Sequence, residues 1–135
     1  MIISKDNGVM FIIYVKDQER SKTFYQKVLG YEPRLNVPGM TEFELGDKVS
    51  LGIMPEAGIM LILEGKIQNP NDANGIPRSE IYIFVDNPDE CYEKIVQAGG
   101  TGISKTELRG WGDNVAYGSD PDGHILAFAC KPDSV

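Results

Sequence analysis

The chain writes one hydrophobic–polar pattern twice. Residues 10–30, MFIIYVKDQERSKTFYQKVLG, read as a strand, a turn and an amphipathic helix stopped by Gly30. Residues 80–100, EIYIFVDNPDECYEKIVQAGG, repeat that order at an offset of 70, so that Phe11 falls on Ile81, Ile13 on Ile83, Val15 on Val85 and Gly30 on Gly100. Met10 to Lys16 is apolar on both faces, which predicts a buried strand covered on each side. Phe11, Ile13 and Val15 share one parity and are expected against the helix; Met10, Ile12 and Tyr14 must face the other way. Asp17 can cap the helix, whose apolar stripe is Phe24, Tyr25, Val28 and Leu29.

Each repeat continues into three further strands. In the first, Tyr31–Asn36, Thr41–Leu45 and Val49–Met54 are separated by turns at Pro38-Gly39 and Gly46-Asp47. In the second, helix Asp89–Ala98 is followed by strands at Ile103–Leu108, Asn114–Gly118 and His124–Cys130. Between them lies a connection with a short helix at Ile59–Leu63 and then IQNPNDANGIPRS, a loop by composition and expected to be mobile. The prediction is α+β: a single domain over 1–135, with one βαβββ module at 8–54, a connection at 55–79 and a second module at 80–131, helices on one side of mixed sheets.

Charge narrows the partners. The formal net charge is −7, which argues against nucleic acid, whose binding needs lysine and arginine against phosphates. An acidic surface serves solubility or attracts a cationic ligand. Two cysteines, Cys91 and Cys130, are too few for a disulfide framework and are expected as buried reduced thiols. MIISKDNG lacks a basic region followed by a long apolar run, and no stretch approaches the ~20 apolar residues that span a bilayer. A cytoplasmic protein with no membrane partner is the expectation.

Three motifs carry a resemblance. Val15 to Gly30 reads V-x-D-x-x-x-S-x-x-F-Y-x-x-x-L-G; Val85-Asp86-Asn87 leads to Ala98-Gly99; and Trp111-Gly112 is followed after seven residues by Asp120-Pro121-Asp122-Gly123-His124 and an alternating strand. In these the chain resembles the vicinal oxygen chelate superfamily, which holds glyoxalases, bleomycin- and fosfomycin-resistance proteins and extradiol dioxygenases. The resemblance implies two modules that curl into a mixed-sheet open barrel around a cleft, in a homodimer. It also implies that metal-using members place four ligands on the first and last strands of the modules, here at Met10, Leu51, Glu80 and Ala127. Only Glu80 of these is a donor for the divalent cations such enzymes use, so no metal and no cofactor are expected. His124 is one residue off the cleft parity of Ala127 and is expected toward the helix side or the rim, in a structural role.

The same parity gives the cleft wall as Met10, Ile12, Tyr14, Val49, Leu51, Ile53, Glu80, Tyr82, Phe84, Ile125, Ala127 and Ala129: apolar, with one carboxylate and two phenols. It reads either as a small-molecule site or as core at a seam. Glu80 is either an anion facing a ligand, or a base, or a partner of Arg78, Arg109 or a backbone amide. Trp111, between two glycines, is either a stacking platform, as the resemblance to bleomycin-binding relatives supports, or a plug. Arg109 is either a bidentate anion binder or a solvated rim charge. The ligand-binding candidates are thus Tyr14, Glu80, Tyr82, Phe84, Arg109 and Trp111. The expected function is metal-independent binding of a flat or cationic small molecule, as in antibiotic or xenobiotic sequestration. The alternative is a glyoxalase-like lyase or isomerase, related to lactoylglutathione lyase, with Glu80 as catalytic base.

Overall fold

A computed structural model of the chain describes residues 2–133; Met1, in the expected lead-in, and residues 134–135, at the end of the expected domain, lie outside them. The chain divides into two compact units, the first ending at Asn74 and the second beginning at Gly75.

The first unit runs β1 (Val9–Val15), α1 (Gln18–Leu29), β2 (Leu35–Val37), β3 (Met40–Gly46), β4 (Val49–Pro55) and α2 (Glu56–Ile62), then a 3-10 turn at Pro70–Ala73. Its sheet has the order β1-β4-β3-β2, with β1 parallel to β4 and the other pairs antiparallel. The Asp17 carboxylate accepts the Arg20 amide at 3.0 Å and starts α1; Gly30, in the left-handed conformation, ends it. Helix α1 lies on β4 and β3; its Phe24, Tyr25 and Val28 are buried, as are Ile13, Val15, Phe43, Leu51 and Ile53 of the sheet.

Three expectations are corrected here. Tyr31–Arg34 is not strand: Pro33 lacks an amide donor, and pairing starts only at Leu35. The first half of β1, Val9–Ile12, is exposed rather than covered on both sides, because β1 is an edge strand and α1 sits over its neighbours. Most consequentially, β1 pairs Phe11 with Leu51 and Ile13 with Ile53. Val49, Leu51 and Ile53 therefore share the helix-side face with Phe11 and Ile13, and the residues opposite are Ser50, Gly52 and Met54.

The second unit repeats the plan with β5 (Glu80–Phe84), α3 (Pro88–Gln97), β6 (Thr101–Leu108), β7 (Asn114–Ser119) and β8 (Ile125–Cys130). Its sheet order is β5-β8-β7-β6, with β5 parallel to β8. Asn87 caps α3 by accepting the Glu90 amide at 3.2 Å. Helix α3 packs on β7 so closely that a Cβ at Gly118 would stand 2.7 Å from Ile95 Cδ1, so only glycine allows this approach. Both units are thus βαβββ modules with the helix on one sheet face, the α+β class the pattern predicted.

Candidate functional site

The face of the second sheet away from α3 follows from its register. Tyr82, Ala127 and Tyr117 lie side by side across β5, β8 and β7, as do Phe84, Ala129 and Val115. Alanines on the middle strand leave room for large side chains from both neighbours, and Tyr82 and Tyr117 close over Val115, Ala127 and Ala129, which are fully buried. Phe84 stands edge-on to Tyr82, with ring centroids 5.5 Å apart.

Tyr82 reaches across β8 to the residue that leads into β7. Its hydroxyl donates to Asp113 Oδ2 at 2.6 Å and accepts the Trp111 indole N–H at 2.9 Å. The other carboxylate oxygen, Asp113 Oδ1, accepts from Lys131 Nζ at 2.8 Å. Asp113 is only 4% exposed, so its charge survives burial because both oxygens are bonded. The Lys131 ammonium, with the Tyr82 hydroxyl beside it, holds the Asp113 carboxyl below the ordinary range. Burial and the bond to Asp113 push the Tyr82 phenol upward. Tyr117 is likewise raised, chiefly by burial and then by the negative charge of Glu80. At working pH the row around Tyr82 therefore holds the Asp113 carboxylate, paired with Lys131, and two neutral phenols.

The loop that presents Trp111 is built from within. Arg109 N donates to the Asp113 carbonyl at 2.8 Å and Gly112 N to the Arg109 carbonyl at 3.0 Å, with Gly112 at φ +100°, where a side chain would be strained. The Arg109 guanidinium is bonded to the Val115 carbonyl at 2.8 Å, the Ser104 hydroxyl at 2.9 Å and the Lys105 carbonyl at 3.1 Å, pairs with Glu107 at 3.3 Å, and stacks on the Tyr117 ring. It is neither a solvated rim charge nor open for a bidentate anion; it holds the loop. Trp111 itself is 60% exposed, so its ring faces are open while its N–H is held.

Of the six candidates, five lie in this unit. Tyr82, Phe84 and Trp111 meet around Asp113. Arg109 supports the loop, and Glu80 is on the same face but exposed rather than buried at a strand start. Tyr14 belongs to the first unit, level with Met54 in the register. His124 Nδ1 lies 2.8 Å from Asp120 Oδ2, and Asp120 Oδ1 accepts the amides of Asp122 and His124, so the imidazole is bonded within the turn that enters β8. Asp113, Tyr117 and Lys131 were not among the candidates. The alternation Asp113-Val115-Tyr117 and the spacing from Ala129 to Lys131 carry the signal, on a strand and a loop that lie outside the first and last strands of each module.

The comparisons agree with the fold. Residues 9–128 match the model of the Glyoxalase/Bleomycin resistance protein/Dioxygenase superfamily. The chain belongs to that superfamily. Among solved structures it is similar to a glyoxalase-related enzyme from Fulvimarina pelagi, at 21% identity and TM-score 0.75, covering 89% of this chain and 84% of that one. It is also similar to a hypothetical protein from S. aureus, at 22% identity and TM-score 0.74, over 90% and 91%. A glyoxalase/bleomycin resistance protein from Catenulispora acidiphila matches at 20% identity and TM-score 0.62, over 93% and 98%. At these identities the likeness shows the fold. No curated protein matches the sequence.

The positions that would hold the family's metal do not fit one. In the first unit they are Met10 and, by the observed register, Gly52 in place of Leu51; in the second they are Glu80 and Ala127. A thioether, a bare backbone and a methyl leave one carboxylate as the sole hard donor. Among the described residues, no three His, Cys, Asp or Glu side chains gather where they could hold a metal ion. No described helix is long and apolar enough to cross a membrane.

Proposed function

We propose that this protein binds a flat, cationic small molecule without a metal, on the face formed by Trp111, Tyr82 and Phe84 around Asp113. The observation that carries the reading is the hydrogen-bonded row Trp111–Tyr82–Asp113. It fixes an open aromatic platform next to a buried carboxylate that is charged at neutral pH and paired with the exposed Lys131. Aromatic faces attract cations, and the buried Asp113 carboxylate beside them adds charge attraction that solvent screens less than at the open surface. Glu80 on the same face and the net charge of −7 add a field of the right sign. The bleomycin-resistance name in the superfamily makes sequestration of an antibiotic or xenobiotic the natural biological setting. The lyase reading stands second. Its base, Glu80, is exposed, and the neighbouring cation Arg109 is tied to backbone carbonyls rather than open to a substrate anion.

Trp111, the sole tryptophan, reports on the site directly. Titration with methyl viologen or bleomycin should quench its emission saturably, with the same midpoint in protein treated with a chelator. Calorimetry should show binding weakened on the order of tenfold in Trp111→Ala. Quenching that stays linear with concentration, together with no heat of binding across a panel of planar cations, would overturn the assignment.

A further inference from the structure

Lys131 comes one residue after β8, on the face of Ala127 and Ala129. Its ammonium sits 2.8 Å from Asp113 Oδ1 and 5.2 Å from the centroid of the Phe84 ring. The two partners of that ion pair are held very differently. The Asp113 side chain is 5% exposed and its second oxygen is bonded to Tyr82, which is bonded in turn to Trp111. The Lys131 side chain is 73% exposed and hangs on a flexible stem. The carboxylate and the ring are therefore a fixed seat for an ammonium, and lysine is a tethered occupant that can leave into water.

From this geometry we infer that Lys131 is a built-in competitor, and that the ligand carries a primary ammonium which displaces Lys131 from between Asp113 and Phe84. This rests on the binding role proposed above and specifies the class of ligand. A primary ammonium brings three N–H donors and can reproduce the bond to Oδ1; a quaternary one has none and keeps only the attraction to the ring. Trp111 stands one side chain from the seat, through Tyr82, so a ligand with an aromatic ring a short chain from its amine can satisfy both. Because the tethered lysine holds the seat for most of the time, the apparent affinity is lowered by the fraction of molecules in which the seat is open. Removing the competitor raises affinity, the reverse of what losing a ligand contact does.

The test uses the full chain and 2-phenylethylammonium as the probe, with its alcohol analogue 2-phenylethanol as the neutral control. Lys131→Gln should bind the ammonium roughly fivefold to tenfold more tightly than the unmodified protein. The gain for the alcohol should be smaller than for the ammonium, because a hydroxyl brings one donor and no charge, and Lys131→Arg should stay near the unmodified protein. Near-ultraviolet circular dichroism at Trp111 establishes that each variant keeps the site. In the unmodified protein, saturating 2-phenylethylammonium should move the Lys131 ε-methylene resonance toward that of a free lysine. If Lys131→Gln binds the ammonium equally or more weakly, or if bound ligand leaves the Lys131 resonance in place, the competitor role is wrong while the binding role stands. If neither protein responds to this probe or to any planar cation, both fail.

Discussion

The middle strand decides what each sheet can carry on the face its helix leaves open. In the second unit that strand is β8, with Ala127 and Ala129; in the first it is β4, where Gly52 takes the place of Ala127. Small residues there admit large neighbours, but the two units admit different ones. Over β8 the neighbours are two tyrosines, and their hydroxyl chemistry gives a bonded row ending on a buried carboxylate. Over Gly52 the space is filled by Met10, Ile12 and Met40, whose atoms come within 2.9 to 3.3 Å of where a Cβ would sit. One face is rigid and polar at fixed points; the other is lined by flexible, polarisable thioethers. A repeat of backbone plan is thus no repeat of chemistry.

The comparison predicts the largest effect where rigid packing is forced. Ala127→Leu must push Tyr82 and Tyr117 apart, and unfolding by denaturant should show a loss of about 1–3 kcal/mol together with loss of cation binding. Acid gives a smaller and reversible effect. Because the Asp113 carboxyl is held below its ordinary range, it stabilises the fold and the seat at neutral pH. That contribution is present above the unfolded carboxyl value, near pH 4, and is lost as pH falls below it through the depressed folded value. Affinity for a planar cation, followed by calorimetry, should therefore be level from pH 5 to pH 8 and fall below about pH 4. The smallest effect belongs to Gly52→Ala: the Met10 and Met40 thioethers can move aside, while Ile12 Cγ1, 2.9 Å from the added Cβ, must shift with them. A loss of about 0.5–1 kcal/mol is expected, and a loss as large as that of Ala127→Leu would erase the distinction between the two faces.

Much of the frame was legible in the chain. The offset of 70, the cap at Asp17, the stop at Gly30 and the hairpin turns all recur in the structure, because local rules set them. The register of β4 differs by one residue from the expected parity, so Leu51 and Ile53 face the helix. Pairing of parallel strands is not written in either strand alone, although the alternation of Ser50 and Gly52 with Leu51 and Ile53 marked the side with less to bury. The site was half visible. Tyr82, Phe84 and Trp111 stood out by type and parity, whereas Asp113 and Lys131 acquire their meaning only from each other across β7 and β8. Arg109 looked like a ligand binder because a sequence does not reveal how many carbonyls a guanidinium will meet.

The most direct measurement is the indole N–H resonance of Trp111 in a nitrogen-labelled sample, followed as a planar ammonium is added. A shift that saturates, accompanied by shifts at Tyr82 and Asp113, is the predicted result. Saturable binding that leaves the Trp111 resonance unmoved would contradict the placement of the site on the second unit.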